Sequence, residues 1–251
     1  MAELSNFNAR VRGLRGRLLK RPDYEPLLNA GNFEDYTERL RATGYGPYME
    51  AAKARYLSDN EAFNAALAAN LSGAFELMVK IADGDAARFL NTLLAGWEVS
   101  GIKTIIRGIV RGVKKEDILE LLIPVGALDR AAIKHLLAAK DVDDVIAFLE
   151  TWGLPYAAPL KEGLPEYKKS GSLNRMELNI DVFLYRRHVG FKARGLDETI
   201  LRGLTALRID IKNIMTLMKI AGEGYAKDAA VGFFIEGATN ITKDEFVRLS
   251  W

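Results

Sequence analysis

Few residues in this sequence are of types that do chemistry at neutral pH, and they do not gather. The two histidines, His135 and His188, stand far apart, and neither has a second histidine four positions away to complete a metal pair on a helix face. There is no cysteine, which removes thiolate nucleophiles, thiolate metal sites and disulfides together. Asp83-Gly84-Asp85 resembles the opening of a cation loop, but a calcium site needs further oxygens at fixed spacing. A turn followed by an Asp85 helix cap accounts for it better. Gly222-Glu223-Gly224 is too little for a dinucleotide fingerprint, and no G-x-x-x-x-G-K-[ST] run exists to cradle phosphates. Carboxylates are plentiful, without a local pairing that favours acid–base work. The reading is of a chain with no catalytic residue, no cofactor and no metal.

The cations offer binding chemistry instead. Arg10, Arg12, Arg15, Arg17, Lys20 and Arg21 crowd about three helical turns, and Lys103, Arg107, Arg111 and Lys114 form a second stripe. Such faces can take phosphates or anionic headgroups. Aromatic residues are not interleaved with them as single-strand binding requires, and a net charge of +2 gives no whole-molecule pull toward nucleic acid or lipid. Solvated helix faces that meet another protein fit better, with Arg10, Arg17, Arg107 and Arg111 as candidate partner contacts, since arginine is enriched at interfaces. The N-terminus lacks the apolar core of a secretory signal, and no run of some 18 uninterrupted apolar residues occurs. This predicts a soluble cytoplasmic chain whose contact with a membrane is indirect, through an assembly.

The elements that position these residues are helical. Ile102, Ile105, Ile106, Ile109, Val110 and Val113 follow helical spacing as one apolar stripe. Ile211, Ile214, Leu217, Met218 and Ala221 draw a like stripe, and Val11, Leu14 and Leu18 a narrower one. Further helices are predicted at about 61–82, 85–97, 129–139, 142–151, 174–192 and 197–207. Pro22, Pro26, Pro47, Pro124, Pro155, Pro159 and Pro165 gather where helices should begin or end. The small residues Ala65, Ala66, Ala68, Ala69, Gly73 and Ala74 line one predicted helix. The fold class is all-α.

The chain also repeats itself. Trp97-Glu98-Val99-Ser100-Gly101-Ile102-Lys103-Thr104-Ile105-Ile106-Arg107 is echoed by Ile209-Asp210-Ile211-Lys212-Asn213-Ile214-Met215-Thr216-Leu217-Met218-Lys219. Leu27 to Gly44 resembles Leu136 to Gly153, and Ile123-Pro124-Val125-Gly126-Ala127 resembles Ile235-Glu236-Gly237-Ala238. Self-similarity at long period marks duplicated supersecondary units. The organisation expected is a leading basic amphipathic helix over 1–21, one helical repeat over 22–128, a second over 129–238, and the start of a truncated third over 239–251. Stacked repeats of this kind bury shared faces and behave as one body.

These motifs resemble the C/d subunit family of the central stalk in A-type and V-type rotary ATPases. The opening Asn8-Ala9-Arg10-Val11-Arg12 is similar to the family's N-A-R-V-R start. Trp97 to Gly108 is similar to its W-D-x-x-N-x-K-T-I-L-R-G segment through Lys103, Thr104 and Arg107, with Glu98 and Gly101 in place of the aspartate and asparagine. The second occurrence keeps Asp210, Asn213, Thr216 and Lys219, and Ile123-Pro124-Val125-Gly126 resembles the family's L-P-x-G. The resemblance implies a funnel-like body of tandem helical pseudo-repeats, three in typical members, without catalytic residues. It also implies partners: the membrane proteolipid ring on one side and the central-shaft subunits on the other, with ring rotation coupled through this protein to the catalytic head. A free-standing helical-repeat binding module, unrelated to the ATPase, is the alternative that the residues by themselves allow.

Overall fold

The computed structural model describes residues 2–189, 195–223 and 231–249, and every regular element among them is a helix. The all-α expectation holds. The chain divides into two compact units, residues 1–142 and 143–251.

The first unit runs α1 (Ala2–Arg15), α2 (Arg21–Leu28), α3 (Phe33–Arg41), α4 (Gly46–Lys53), α5 (Asp59–Ile81), α6 (Gly84–Val110), α7 (Lys115–Glu120) and α8 (Arg130–Leu137). Local chemistry sets several of these boundaries. Asn32 caps α3 by accepting the Asp35 amide at 2.9 Å, and Asp35 in turn accepts the Gly31 amide at 3.0 Å. Asp129 caps α8 through the Ala132 amide at 2.8 Å. The two caps each satisfy an amide that the first helical turn leaves without a partner. At α6 the N-cap position falls to Asp83, not to the Asp85 that the sequence suggests; Asp85 lies just inside the helix and pairs with Arg88.

Helix α1 packs on α6. Phe7 sits against a cluster of Leu90, Leu94 and Val125, beside Phe75, Met78 and Ala82. Val11 and Leu14 are half-buried, but the helix stops at Arg15 and Leu18 lies outside it, 62% exposed. Gly13 and Gly16 flank that stop, and glycine is a poor helix residue. Lys20 and Arg21 fall at the start of α2, where Asp23 accepts the Lys20 amide at 2.7 Å, so the six N-terminal cations do not share one helix.

Helix α5 is long and apolar enough to cross a membrane by length and composition. Here it packs on α4 and α6. Met49, Ala52, Ala62 and Ala66 form one buried cluster with Tyr48 of α4 and the flanking Tyr45 and Tyr56 around it. The small residues make this approach possible: a Cβ on Gly73 would stand 3.1 Å from the Tyr48 hydroxyl.

The second unit holds α9 (Val142–Thr151), α10 (Ala157–Ser170), α11 (Asn174–Val189), α12 (Leu196–Glu223) and α13 (Lys243–Leu249). Helices α10 and α11 form its tightest pair. A Cβ on Gly163 would lie 2.7 Å from the Met176 Cα and backbone nitrogen, so the two backbones touch where only hydrogen fits. Gly171, at φ +72, ends α10 in the left-handed conformation that glycine adopts without strain. Pro165 lies inside α10 and Pro26 inside α2, rather than at boundaries as the sequence suggests. The proline ring removes one intrahelical bond, and helix packing overrides that loss. A second core gathers Leu178, Ile220, Phe233, Phe234 and Phe246, with Phe234 and Phe246 edge to face at 5.4 Å. Thr242 and Glu245 form a reciprocal capping box that starts α13.

Candidate functional site

Asn8, Arg10 and Arg12 of the signature lie on α1 and the other signature positions on the long helices α6 and α12, where Glu98, Asp210 and Asn213 hold backbone. Asp210 of α12 is buried, 3% exposed, and its carboxylate faces the segment that returns from α12 toward α13. It accepts the amides of Thr239 at 3.2 Å, Asn240 at 3.0 and 3.1 Å, and Ile241 at 3.0 Å, together with the Asn240 side-chain amide at 2.8 Å. Burial works to raise its pKa, but the hydrogen bonds from Asn240, Ile241 and Thr239 outweigh it and hold the group below the usual carboxylate range. One turn on, Asn213 is fully buried and meets the backbone of Ile235 twice. Its Nδ2 donates to the carbonyl at 3.0 Å and its Oδ1 accepts the amide at 3.0 Å. The two side chains clamp residues 235–241 onto α12.

Helix α6 carries a lighter form of the same joint. Glu98 accepts the Ala127 amide at 2.7 Å, 29 residues ahead, the same separation as from Asp210 to Thr239. The turn it holds closes on itself through paired Val125 and Leu128 backbone bonds, each 2.9 Å. The Ser72 hydroxyl donates to Pro124 O at 3.3 Å from α5. Gly126, at φ +56, passes so close that a Cβ there would overlap the Glu98 carboxylate. Where α12 has Asn213, α6 has Gly101, and the space is filled by Leu128, whose Cδ1 would lie 3.2 Å from a Cβ at that position. An apolar plug replaces the pair of amide bonds.

Thr104 and Thr216 do the same work in each helix, donating to the carbonyls of Ser100 and Lys212 at 2.9 Å. Lys212 also reaches across to Asp181 of α11 at 2.5 Å. Burial and the Asp181 charge raise the pKa of the nearby Tyr185 phenol. Lys103 is half-buried, whereas Asn8, Arg10, Arg12, Arg17, Arg107 and Arg111 are exposed. The side chains of Lys219 and His188 lie outside the described residues. His135 is exposed on α8, its Nδ1 3.0 Å from Ala131 O.

The two apolar stripes meet different fates. Ile102, Ile105 and Ile106 of α6 are buried and Ile109 is half-buried, while Val110 at the helix end and Val113 beyond it are exposed. On α12 the buried face is Leu201, Thr205, Ile209, Asp210, Asn213, Thr216 and Ile220, and Ile211, Ile214 and Met218 are exposed. Turning the acid and amide inward to hold the returning chain rotates the aliphatic stripe outward. The signal for this in the sequence is the acid-x-x-Asn spacing, which sets two polar groups one turn apart on one face.

None of this is reactive geometry. Among the described residues no cluster of three or more His, Cys, Asp or Glu could hold a metal ion. A groove of about 390 Å³ beside α5 is walled by alanines, with Arg55, Arg130, Lys134 and Glu120 on its lining, and it brings none of the signature residues together.

The model of the ATP synthase (C/AC39) subunit family matches residues 7–250. The chain belongs to that family. Among its relatives, the C subunit of the A-type ATP synthase of Methanosphaera stadtmanae is 29% identical over 231 residues, covering 91% of this chain and 57% of the relative. The C subunit of the V-type ATP synthase of Deinococcus radiodurans is 29% identical over 213 residues, 85% of this chain and 59% of the relative. The corresponding V-type protein of Thermus thermophilus is 29% identical over 247 residues, 98% of this chain and 71% of the relative. The chain thus spans under three fifths of the first two relatives, and the family match takes in both units.

Proposed function

We propose that this protein is a non-catalytic rotor subunit of an A/V-type ATPase. It stands between the membrane proteolipid ring and the central shaft and carries ring rotation to the head, where other subunits make or use ATP. The observation that carries this reading is the family match over residues 7–250, with relatives named as the C subunits of A-type and V-type ATP synthases. The chemistry of the signature residues agrees with it. Asp210, Asn213 and Glu98 bind backbone amides and carbonyls of their own chain, as a part that must keep its shape under load requires. The exposed arginines Arg10, Arg12, Arg17 and Arg111 supply polar contact points for other subunits, and association with the membrane is peripheral, through the ring.

The same reading takes the chain as repeated units. The succession α2, α3, α4, α5, α6 is matched by α8, α9, α10, α11, α12, with α2 and α8 starting at Arg21 and Arg130 and α6 and α12 at Gly84 and Leu196. Helix α13 then opens a further unit.

The test is affinity purification of the tagged chain from mildly solubilised host membranes, with subunits identified and counted by mass. Shaft and ring subunits should co-purify with one copy of this chain per complex. Recovery without any ATPase component would overturn the proposal. Reversing Arg10, Arg12 and Arg17 to glutamate should lower that recovery if these cations form the contact.

A further inference from the structure

The groove beside α5 opens in the first unit where the second unit is filled. In the second unit, α11 brings Leu178 and Val182 against Phe233, Phe234 and Phe246. Phe246 stands four residues beyond the Thr242 cap of α13, and Ile133 four beyond the Asp129 cap of α8. Likewise Leu121-Leu122-Ile123 runs where the second unit has Phe233-Phe234-Ile235. Aliphatic residues thus replace the phenylalanines, and α5 faces them with Ala65, Ala68 and Ala69. Smaller side chains leave about 390 Å³ open, a volume in the range of small-molecule sites.

The floor of this groove has no polar group left to satisfy. Ser72, Leu122 and Ile133 are buried there. The Ser72 hydroxyl lies 3.2 Å from the Glu76 carboxylate and 3.3 Å from Pro124 O. Among the described residues no buried side-chain nitrogen or oxygen lacks a hydrogen bond. Such a surface suits an alkyl chain, whereas the amides of a peptide would go unmatched on it.

The rim is charged one way. Arg130 and Lys134 stand one turn apart on α8 and share a face. Arg55 lines the groove from the segment between α4 and α5. All three are exposed, and among the described residues the lining carries a single acid, Glu120. Arg130 makes only a loose 3.9 Å contact with Glu76, and Arg55 and Lys134 form no ion pair among the described residues.

We propose that this groove binds an anionic amphiphile, a carboxylate or phosphate monoester on an alkyl chain of roughly ten carbons. The chain lies along the α5 alanines, and the head meets the cations of α8 and Arg55. The inference does not rest on the rotor reading, and either can fail without the other.

The test is titration calorimetry of the whole chain with dodecanoate and with dodecyl phosphate, each kept below its micellar concentration. Dissociation constants on the order of 10 µM are expected, weakening roughly tenfold for every two methylenes removed. The tighter of the two names the head that the rim prefers. Decanol should bind at least ~10-fold more weakly than decanoate, because it lacks the charge. Arg130→Glu/Lys134→Glu, at exposed positions, should weaken dodecanoate by a similar factor, with circular dichroism confirming the fold. Ala68→Leu, which fills the wall, should abolish binding. A diazirine-bearing dodecanoate, irradiated and mapped by mass spectrometry, should label peptides of α5 or α8. Failure of both amphiphiles to bind, even if an acidic peptide does, would overturn the proposal. So would affinity unchanged by the α8 reversals, or label confined to α12, whose exposed aliphatic residues offer another apolar surface.

Discussion

Replacing Asp210 by asparagine changes one atom of a buried side chain and should release a whole segment. The carboxylate accepts three backbone amides and one side-chain amide. An asparagine there keeps one acceptor oxygen and turns an amide group toward donors. Hydrogen bonds to a buried charge contribute about 1.5–3 kcal/mol each, and a donor left unsatisfied costs a similar amount. Bonds sharing one carboxylate are not additive, so we expect a loss of ~3 kcal/mol in the local opening of residues 239–241, near 150-fold in the opening equilibrium. Hydrogen–deuterium exchange read at the Thr239, Asn240 and Ile241 amides measures this directly, with first-unit amides as the internal control. The same joint should loosen with acid in the unsubstituted protein. The folded pKa of Asp210 lies below its unfolded value, so its stabilisation is complete above the ordinary carboxylate pKa of about 4 and is lost as pH falls through the lower folded value. Asp210→Asn should lack that acid-dependent component. An exchange increase under about fivefold, roughly 1 kcal/mol, would refute the reasoning and show that the segment is held by its hydrophobic contacts instead.

Four further substitutions separate the parts of this scheme. Asn213→Asp sets a carboxylate against the Ile235 carbonyl in a fully buried site and should cost ~3 kcal/mol or more in urea unfolding of the second unit. Glu98→Gln should cost only about 1 kcal/mol, since Glu98 is half-buried and holds its turn through the Ala127 amide; a loss as large as that of Asp210→Asn would show the two joints to be equals. Gly163→Ala forces a methyl against the backbone of Met176 and should lower stability by about 1–3 kcal/mol, measured as a fall in the thermal midpoint. Gly108→Ala should cost less, because the methyl it meets first is the Cδ1 of Ile118, which can rotate away.

Helix content is plain in the sequence because apolar spacing reports it directly, and the long helices differ from expectation only in their extent. Residues 84–110 and 196–223 are each unbroken, whereas the apolar pattern breaks near Gly96 and Arg208 and suggests shorter pieces. Helix α10 is hidden by its prolines, which weigh against a helix locally but are tolerated once Gly163 brings α11 into contact. The signature positions are visible as a motif, and their work is not. Periodicity treats Asp210 and Asn213 as polar and assigns them to water, yet they are among the most buried polar residues of the second unit. Only the returning segment, about 30 residues away, supplies the donors that make their burial favourable. The same blindness inverts the expectation for Ile211, Ile214 and Met218, since a helix that turns polar groups inward must show its aliphatic residues elsewhere.

The joint on α12 reads where the chain runs, and is largely indifferent to what the chain is. Apart from the Asn240 side chain, its bonds go to main-chain atoms of residues 235–241. Nearly any residue but proline presents those same groups. Substitutions along this stretch can therefore accumulate without loosening it, as long as the backbone keeps its path. The lighter joint on α6 shows the outcome: Glu98 takes the amide of an alanine where Asp210 takes that of a threonine. The route of the polypeptide is fixed from the helix side, leaving the surface of the returning segment open to diversify with whatever it faces.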